Sequence, residues 1–425
     1  MYTQLRESLQ GTPAASTART DTPARTRVGR NVLCLGLTSF FTDISSEMVS
    51  AILPLYFVTF LRLSPLQFGA VDGLYQGVSA LVRIGGGVAA DRSGRHKEVA
   101  TLGYALSALS KLGLLLVGGF WAALAALIVV DRTGKGIRTA PRDALISLSS
   151  RREELGTAFG VHRALDTAGA MVGPLIAFGL LALAPTAFDA VFVVSFCAAM
   201  LGLGILVLFV ENRAGAPSDP AGPAVSLRSV LGLLAEPRFR ALFLAGAALG
   251  LATISDGFVY LVLQRRLELS TGLFPLLYVA TSSVYLVLAV PAGWLADRIG
   301  RGKVFVGGYA LLLSVYGALL QPGLGTGGLV ACVLLFGAYY AATDGVLMAL
   351  ASVVLPTGLR TSGLGLLTTA TSLARLLASL LFGALWTWWG PETAVLLHLL
   401  GLAAALALTV VVLVRTAGEA HAPAA

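Results

Sequence analysis

Long apolar runs broken by short polar ones dominate the chain. Leu112 to Val130, Val191 to Val210 and Leu396 to Val414 each reach or approach the roughly 20 residues that a helix needs to cross about 30 Å of hydrocarbon. The alternating pattern of a membrane β-barrel is absent. Hydropathy predicts twelve helical spans, at about 31–60, 66–90, 98–118, 121–148, 156–183, 187–210, 239–263, 272–296, 303–320, 328–355, 361–388 and 392–414. The expected fold class is therefore all-α and integral to the membrane. Residues 1–30 lack an apolar core before a small-residue cleavage site, so a disordered tail ahead of an uncleaved first span is expected. Two six-helix bundles are expected at 31–211 and 238–415. A linker at 212–237, with Pro217, Pro220 and Pro223, joins them, and 416–425 forms a second tail.

Composition narrows this further. The chain is 56% hydrophobic and only 12% charged, with a mean hydropathy of +0.82, which excludes water as its main solvent. Its 49 glycines would cripple isolated soluble helices but suit closely packed spans. With the N-terminus inside, 19 of the 30 basic residues fall in cytoplasmic segments and three, Arg62, Arg265 and Arg266, in the opposite loops. Both termini are thus expected on the cytoplasmic side of the inner membrane. The formal charge of +8 is then mostly topology. Spread over short loops, it argues against nucleic-acid binding and leaves membrane lipids as the natural partner. Cys34, Cys197 and Cys332 are too far apart for metal-ligand spacing and read as packing residues. No cofactor is expected, and a monomer is.

The two halves repeat. Gly87-Val88-Ala89-Ala90-Asp91-Arg92-Ser93-Gly94-Arg95 between spans 2 and 3 returns 206 residues later as Gly293-Trp294-Leu295-Ala296-Asp297-Arg298-Ile299-Gly300-Arg301 between spans 8 and 9. Gly156 to Gly160 returns 205 residues later at Thr361 to Gly365. The duplicated G-x-[LA]-A-D-R-x-G-R loop resembles the signature loop of the major facilitator superfamily. That resemblance implies two parallel six-span repeats with a substrate site between them near the midplane. It also implies that the loops brace one face, with Asp91 and Asp297 pairing with a cation or sitting at a helix N-terminus. A topogenic turn is the plainer reading. Ala89 departs from the usual Leu.

Two further strings carry resemblance. Gly169-Ala170-Met171-Val172-Gly173-Pro174 in span 5 looks like the G-x-x-x-G-P motif of the superfamily's proton-coupled exporters, although close packing and a Pro kink alone would also explain it. Asp131 to Asp143 in span 4, together with Thr38 to Pro54 and Phe159 to Pro174, resembles a prokaryotic branch of the superfamily described as transporters and efflux proteins. There Arg132 and Gly136 match a motif whose Arg is implicated in proton transfer, while Lys135 and Arg138 go beyond it. The string is not a P-loop, because Val129 holds the first glycine position and Gly136 the Ser/Thr position.

Candidate chemistry lies in the charges inside the spans. Eight are basic (Arg83, Lys111, Arg132, Lys135, Arg138, Arg142, Arg163, Arg375) and eight acidic (Asp43, Glu47, Asp72, Asp131, Asp143, Asp166, Asp256, Asp344). At roughly 3 kcal/mol each, facing lipid would cost on the order of 50 kcal/mol, several times a protein's stability. They are therefore expected to pair or to line a wet cavity. Helical spacing aligns Asp43, Glu47, Ser50 and Pro54 on span 1, Asp131, Lys135, Arg138 and Arg142 on span 4, and His162, Asp166, Gly169 and Gly173 on span 5. Asp43, Glu47 and Asp166 are the expected proton carriers, with Arg132 and Arg163 as counter-charges. Asp256, Asp344 and Arg375 supply the fewer polar contacts of the second half. His162 reads as a member of this network rather than a metal ligand. Trp386, Trp388 and Trp389 read as an interfacial anchor.

The expected function is alternating-access transport of a small solute, with export in exchange for protons. Uptake of an anionic solute on the span 4 cations is the alternative within transport. A non-transporting membrane sensor is the alternative outside it, against which stands the short tail after Arg415. No nucleophile constellation suggests an enzyme.

Overall fold

A computed structural model describes residues 29–117, 120–151, 155–212, 227–343, 346–356 and 359–419. Their regular structure is entirely helical. The first bundle comprises α1 (Arg30–Leu55), α2 (Pro65–Ser93), α3 (His96–Leu116), α4 (Trp121–Leu148), α5 (Leu155–Leu183) and α6 (Phe188–Phe209). A short helix, α7 (Leu227–Gly232), falls within the expected linker. The second bundle comprises α8 (Pro237–Leu251), α9 (Asp256–Leu267), α10 (Phe274–Ile299), α11 (Arg301–Leu320), α12 (Thr326–Thr343), α13 (Val346–Val354) and α14 (Arg360–Glu419).

Nine stretches of the described residues are long and apolar enough to cross a membrane on those grounds alone. α2 and α4 match them in length, at 29 and 28 residues, but are more polar. α14 holds two crossings, because Gly390 (φ 85°, ψ 166°) breaks it just before Pro391. The rings of Phe382 and His398 then lie 5.0 Å apart, which only a fold-back of the two segments allows. Counting α2 and α4 and dividing α14 gives the twelve crossings that hydropathy predicts.

The seventh crossing is not one helix. α8 ends at Leu251 and α9 begins at Asp256, with Thr253 to Ser255 outside any helix between them and Ser255 extended. Non-helical backbone at membrane depth needs partners, and the amide of Ile254 donates to the hydroxyl of Tyr316 at 2.7 Å. The tenth crossing is carried by α12 and α13, which flank residues 344 and 345.

The duplicated loops are very tight. Gly94 takes a left-handed conformation (φ 63°) at the end of α2, and α3 begins at His96. Gly300 (φ 106°) separates α10 from α11. Asp297 therefore sits in the last turn of α10 and not at a helix N-terminus, where the dipole would have favoured it. Arg301 compensates from the next helix at 3.1 Å. The side chains of Asp91 and Arg92 lie outside the described residues, as does all of Asp344, while Gly87 falls within α2.

Glycines set how closely helices approach. α5 packs along α1, and a Cβ added at Gly173 would stand 2.7 Å from the carbonyl of Ile44 and 3.0 Å from the amide of Met48. Both neighbours are backbone, so neither can swing aside. Gly173→Ala is expected to push α1 from α5 and to cost about 1–3 kcal/mol, read as earlier thermal unfolding in detergent. Unchanged unfolding would show that the two helices separate freely.

Candidate functional site

A cavity of about 260 Å³ lies between the bundles. α1, α2 and α4 contribute Glu47, Ser50, Asp72, Tyr75, Gln76 and Lys135 to it, and α9 and α10 contribute Asp256, Tyr278 and Ser282. Lys135 reaches it because of its neighbours. Gly134 packs on Gly103 of α3 and Gly136 on Val82 and Ser79 of α2, so the side chain between them points at neither helix. Glu47 accepts a hydrogen bond from Ser50 at 2.7 Å. Asp256, in the first turn of α9, accepts one from the hydroxyl of Tyr340. A second cavity of about 220 Å³, between α9, α10 and α12, shares Asp256, Tyr278 and Ser282 with the first.

The span charges sort into three groups. Deepest is a cluster in which Lys111 of α3 and Arg132 of α4 both bind the carboxylate of Asp131, with cation and carboxylate side chains about 3–4% exposed. Arg132 also lies 3.8 Å over the ring of Tyr75, which ties α2 to the cluster. The second group surrounds α5. Asp166 lies 3.8 Å from Arg142 and 3.6 Å from Arg163, and its carboxyl group meets that of Asp43 on α1. Lys135 is the cation next to both Asp43 and Glu47. His162 bonds Ser39 at 2.9 Å, and Arg138 stacks over Tyr104 at 4.6 Å. The third group, in the second bundle, holds Asp256, Tyr340 and Arg375.

This arrangement joins Asp43 to Asp166 beside the cavity and leaves Glu47, four residues on, as the α1 carboxylate in its wall. Arg132 spends its charge on Asp131, and the Arg163 side chain is 76% exposed. The cations beside the α1 and α5 carboxylates are instead Lys135 and Arg142. Sequence reasoning counted Asp72 among the charges but gave it no place. It accepts a hydrogen bond from Ser379 of α14 at 2.6 Å, across the two bundles. Trp386, expected at the interface, is instead buried against Phe258 and Phe382, while Trp388 and Trp389 are exposed.

Contact between the bundles gathers at the end that carries the α1–α2 and α9–α10 loops. There Gly69 and Gly73 of α2 press on Ser379 and Leu376 of α14, and Gly257 packs on Phe68 and Pro54. The amide of Leu66 donates to Thr387 at 3.0 Å. At the other end, the repeat-related Gly160 and Gly365 have nothing within 4 Å of where a Cβ would stand.

A model of the Major Facilitator Superfamily matches residues 35–283 and 242–425, which together take in most of the sequence. The chain belongs to the major facilitator superfamily. It is 33% identical over 367 residues to an uncharacterised MFS-type transporter of Methanocaldococcus jannaschii, covering 84% of this chain and 89% of the relative. An uncharacterised protein of Mycobacterium tuberculosis is 29% identical over 287 residues, 65% of this chain and 68% of its own length. In fold, the chain superposes on the crystal structure of a peptide transporter with a TM-score of 0.75 at 16% identity, covering 91% and 94% of the two chains. A bacterial homologue of the human lysosomal transporter Spinster, in an inward-facing and occupied conformation, gives 0.69 at 15% identity over 92% and 98%. Membership makes the chain a multi-pass membrane transporter.

Membership also gives the duplicated loops a testable role. The Asp297–Arg301 pair is exposed, and such pairs contribute at most about 1 kcal/mol to stability. Asp297→Asn is therefore expected to unfold at nearly the parent temperature while changing the rate of transport. Matching losses of stability and transport would reduce the loop to a structural turn.

Proposed function

We propose that the chain exports a small solute from the cytoplasm in exchange for protons, by alternating access across the inner membrane with both termini inside. The observation that carries this reading is the pairing of Asp43 with Asp166 beside the cavity that Glu47, Lys135 and Asp256 line. Two carboxyl groups that meet compete for one proton, with Lys135 beside Asp43 and Arg142 3.8 Å from Asp166 as the cations that oppose its uptake. Closing the cavity changes the distances between these groups, so proton loading and solute loading bias one two-state equilibrium. The contact of the bundles at the loop end, with Gly160 and Gly365 unpacked at the other, supports an inward-open state for this structure. The Gly169, Gly173 and Pro174 run supports export by its resemblance, and packs α5 on the stretch of α1 that bears Asp43 and Glu47.

A growth screen of a strain lacking the gene, against toxic compounds, would supply a test solute. Inverted vesicles carrying the protein are then expected to accumulate it when their interior is acidified. Accumulation that ignored the pH gradient and followed sodium or membrane potential would remove proton exchange from the reading.

A further inference from the structure

The second bundle contains a cavity of about 310 Å³ that the coupling network does not use. α8, α11, α12, α13 and α14 enclose it. Its lining is polar at Arg375, Thr343, Thr368, Thr371 and Ser372 and apolar at Phe305, Leu347 and Met348, with Met348 next to Thr368. Tyr340 stands between this cavity and the one holding Asp256, to which its hydroxyl is bonded. Arg375 sits among Tyr309, Tyr339 and Tyr340 deep in the bundle, yet its side chain is exposed to open space. Among the described residues no carboxylate forms an ion pair with it, in contrast to Lys111, Arg132 and Arg142.

A guanidinium at this depth is costly unless an anion or water satisfies it. Its planar fork matches the two oxygens of a carboxylate, and the Ser372 hydroxyl lines the same cavity, while those of Thr343, Thr368 and Thr371 donate to their own helix carbonyls. The volume is about ten times that of one water, so a bare oxyanion would leave most of it empty. The phenyl, thioether and leucine side chains of Phe305, Met348 and Leu347 suit an apolar body of a few carbons or one ring. We propose that this cavity is a binding site for an organic anion, with a carboxylate on Arg375 and a compact apolar body against Phe305, Leu347 and Met348. The biological meaning rests on the transporter reading, as a seat for the acidic part of a solute, but binding itself requires no proton coupling.

Benzoate and its neutral isostere benzamide are suitable probes, with binding read from thermal stabilisation of the full chain in detergent at constant ionic strength. Benzoate is expected to stabilise the protein and benzamide not to. Arg375→Gln should weaken apparent benzoate affinity by about tenfold or more, the scale of hydrogen bonds to a charged group. Arg375→Lys should retain part of it. Should Arg375→Gln fail to fold, Ser372→Leu fills the cavity with the charge intact and should abolish the benzoate effect. Equal stabilisation by benzoate and benzamide, or a benzoate effect that survives both Arg375→Gln and Ser372→Leu, would overturn the proposal. So would stabilisation by phosphatidylglycerol, lost in Arg375→Gln, without any response to benzoate, because the site would then belong to a lipid headgroup. Binding that behaves as expected in a protein showing no proton-driven transport would retain the anion site and sink the coupling reading alone.

Discussion

Asp131→Asn is expected to lower the stability of the first bundle by about 3–5 kcal/mol, because it leaves two buried cations without their shared carboxylate. The carboxylate sits between Lys111 and Arg132, and Ser107 and Ser110 also donate to it. Asparagine keeps the shape and some of the hydrogen bonds but none of the charge. Lys111→Met should cost less, since it leaves one carboxylate facing one guanidinium that also stacks on Tyr75. The order matters more than either value. Thermal unfolding followed by size-exclusion chromatography in detergent would check it, and an Asp131→Asn protein that melts with the parent would refute a structural role. A loss of transport should accompany the loss of stability, because the cluster ties α3 to α4 four residues before Lys135.

The cluster also marks where the sequence stops being readable. That sixteen span charges must pair or stay wet follows from insertion cost alone; among the described residues Asp131, Arg132, Lys111 and Asp166 pair, while buried Arg138 has only the ring of Tyr104. Partners within a helix turn, such as Arg163 and Asp166, were visible as spacing. Partners across helices were not, because crossing geometry decides them. A stripe of Asp131, Lys135, Arg138 and Arg142 on one helix face meets three different neighbours, and Asp72 and Ser379 are 307 residues apart. Twelve crossings were legible because each is a local property of about 20 residues. The break in the seventh was legible in principle. Ser255-Asp256 inside an apolar run is a helix-start signal, and it went unread because hydropathy averages over it. The positions of Gly134 and Gly136 on either side of Lys135 likewise acquire meaning only once α2 and α3 are in place.

Asp43→Asn is expected to give an inserted, folded protein that has lost uphill transport while still exchanging solute at equal pH on both sides. Asp43 meets Asp166 and is neighboured by Lys135, so the amide removes the carboxyl that carries the proton but strands no buried ion pair. Asp166 retains Arg142 at 3.8 Å and Arg163 at 3.6 Å. Glu47→Gln should behave differently. Glu47 bonds Ser50 at 2.7 Å and lines the cavity itself, so its neutral variant is expected to weaken solute binding and leave the pH dependence of transport in place. Exchange and gradient-driven uptake measured in the same proteoliposomes separate the two effects, because a binding defect lowers both and a coupling defect lowers only the second. Full uphill transport by Asp43→Asn with an unchanged pH profile would move the proton carrier elsewhere. Asp72 and Asp256, the other carboxylates on the cavity wall, would then be the next to replace, Asp72 first because its bond to Ser379 crosses the bundles and can let go as they rock.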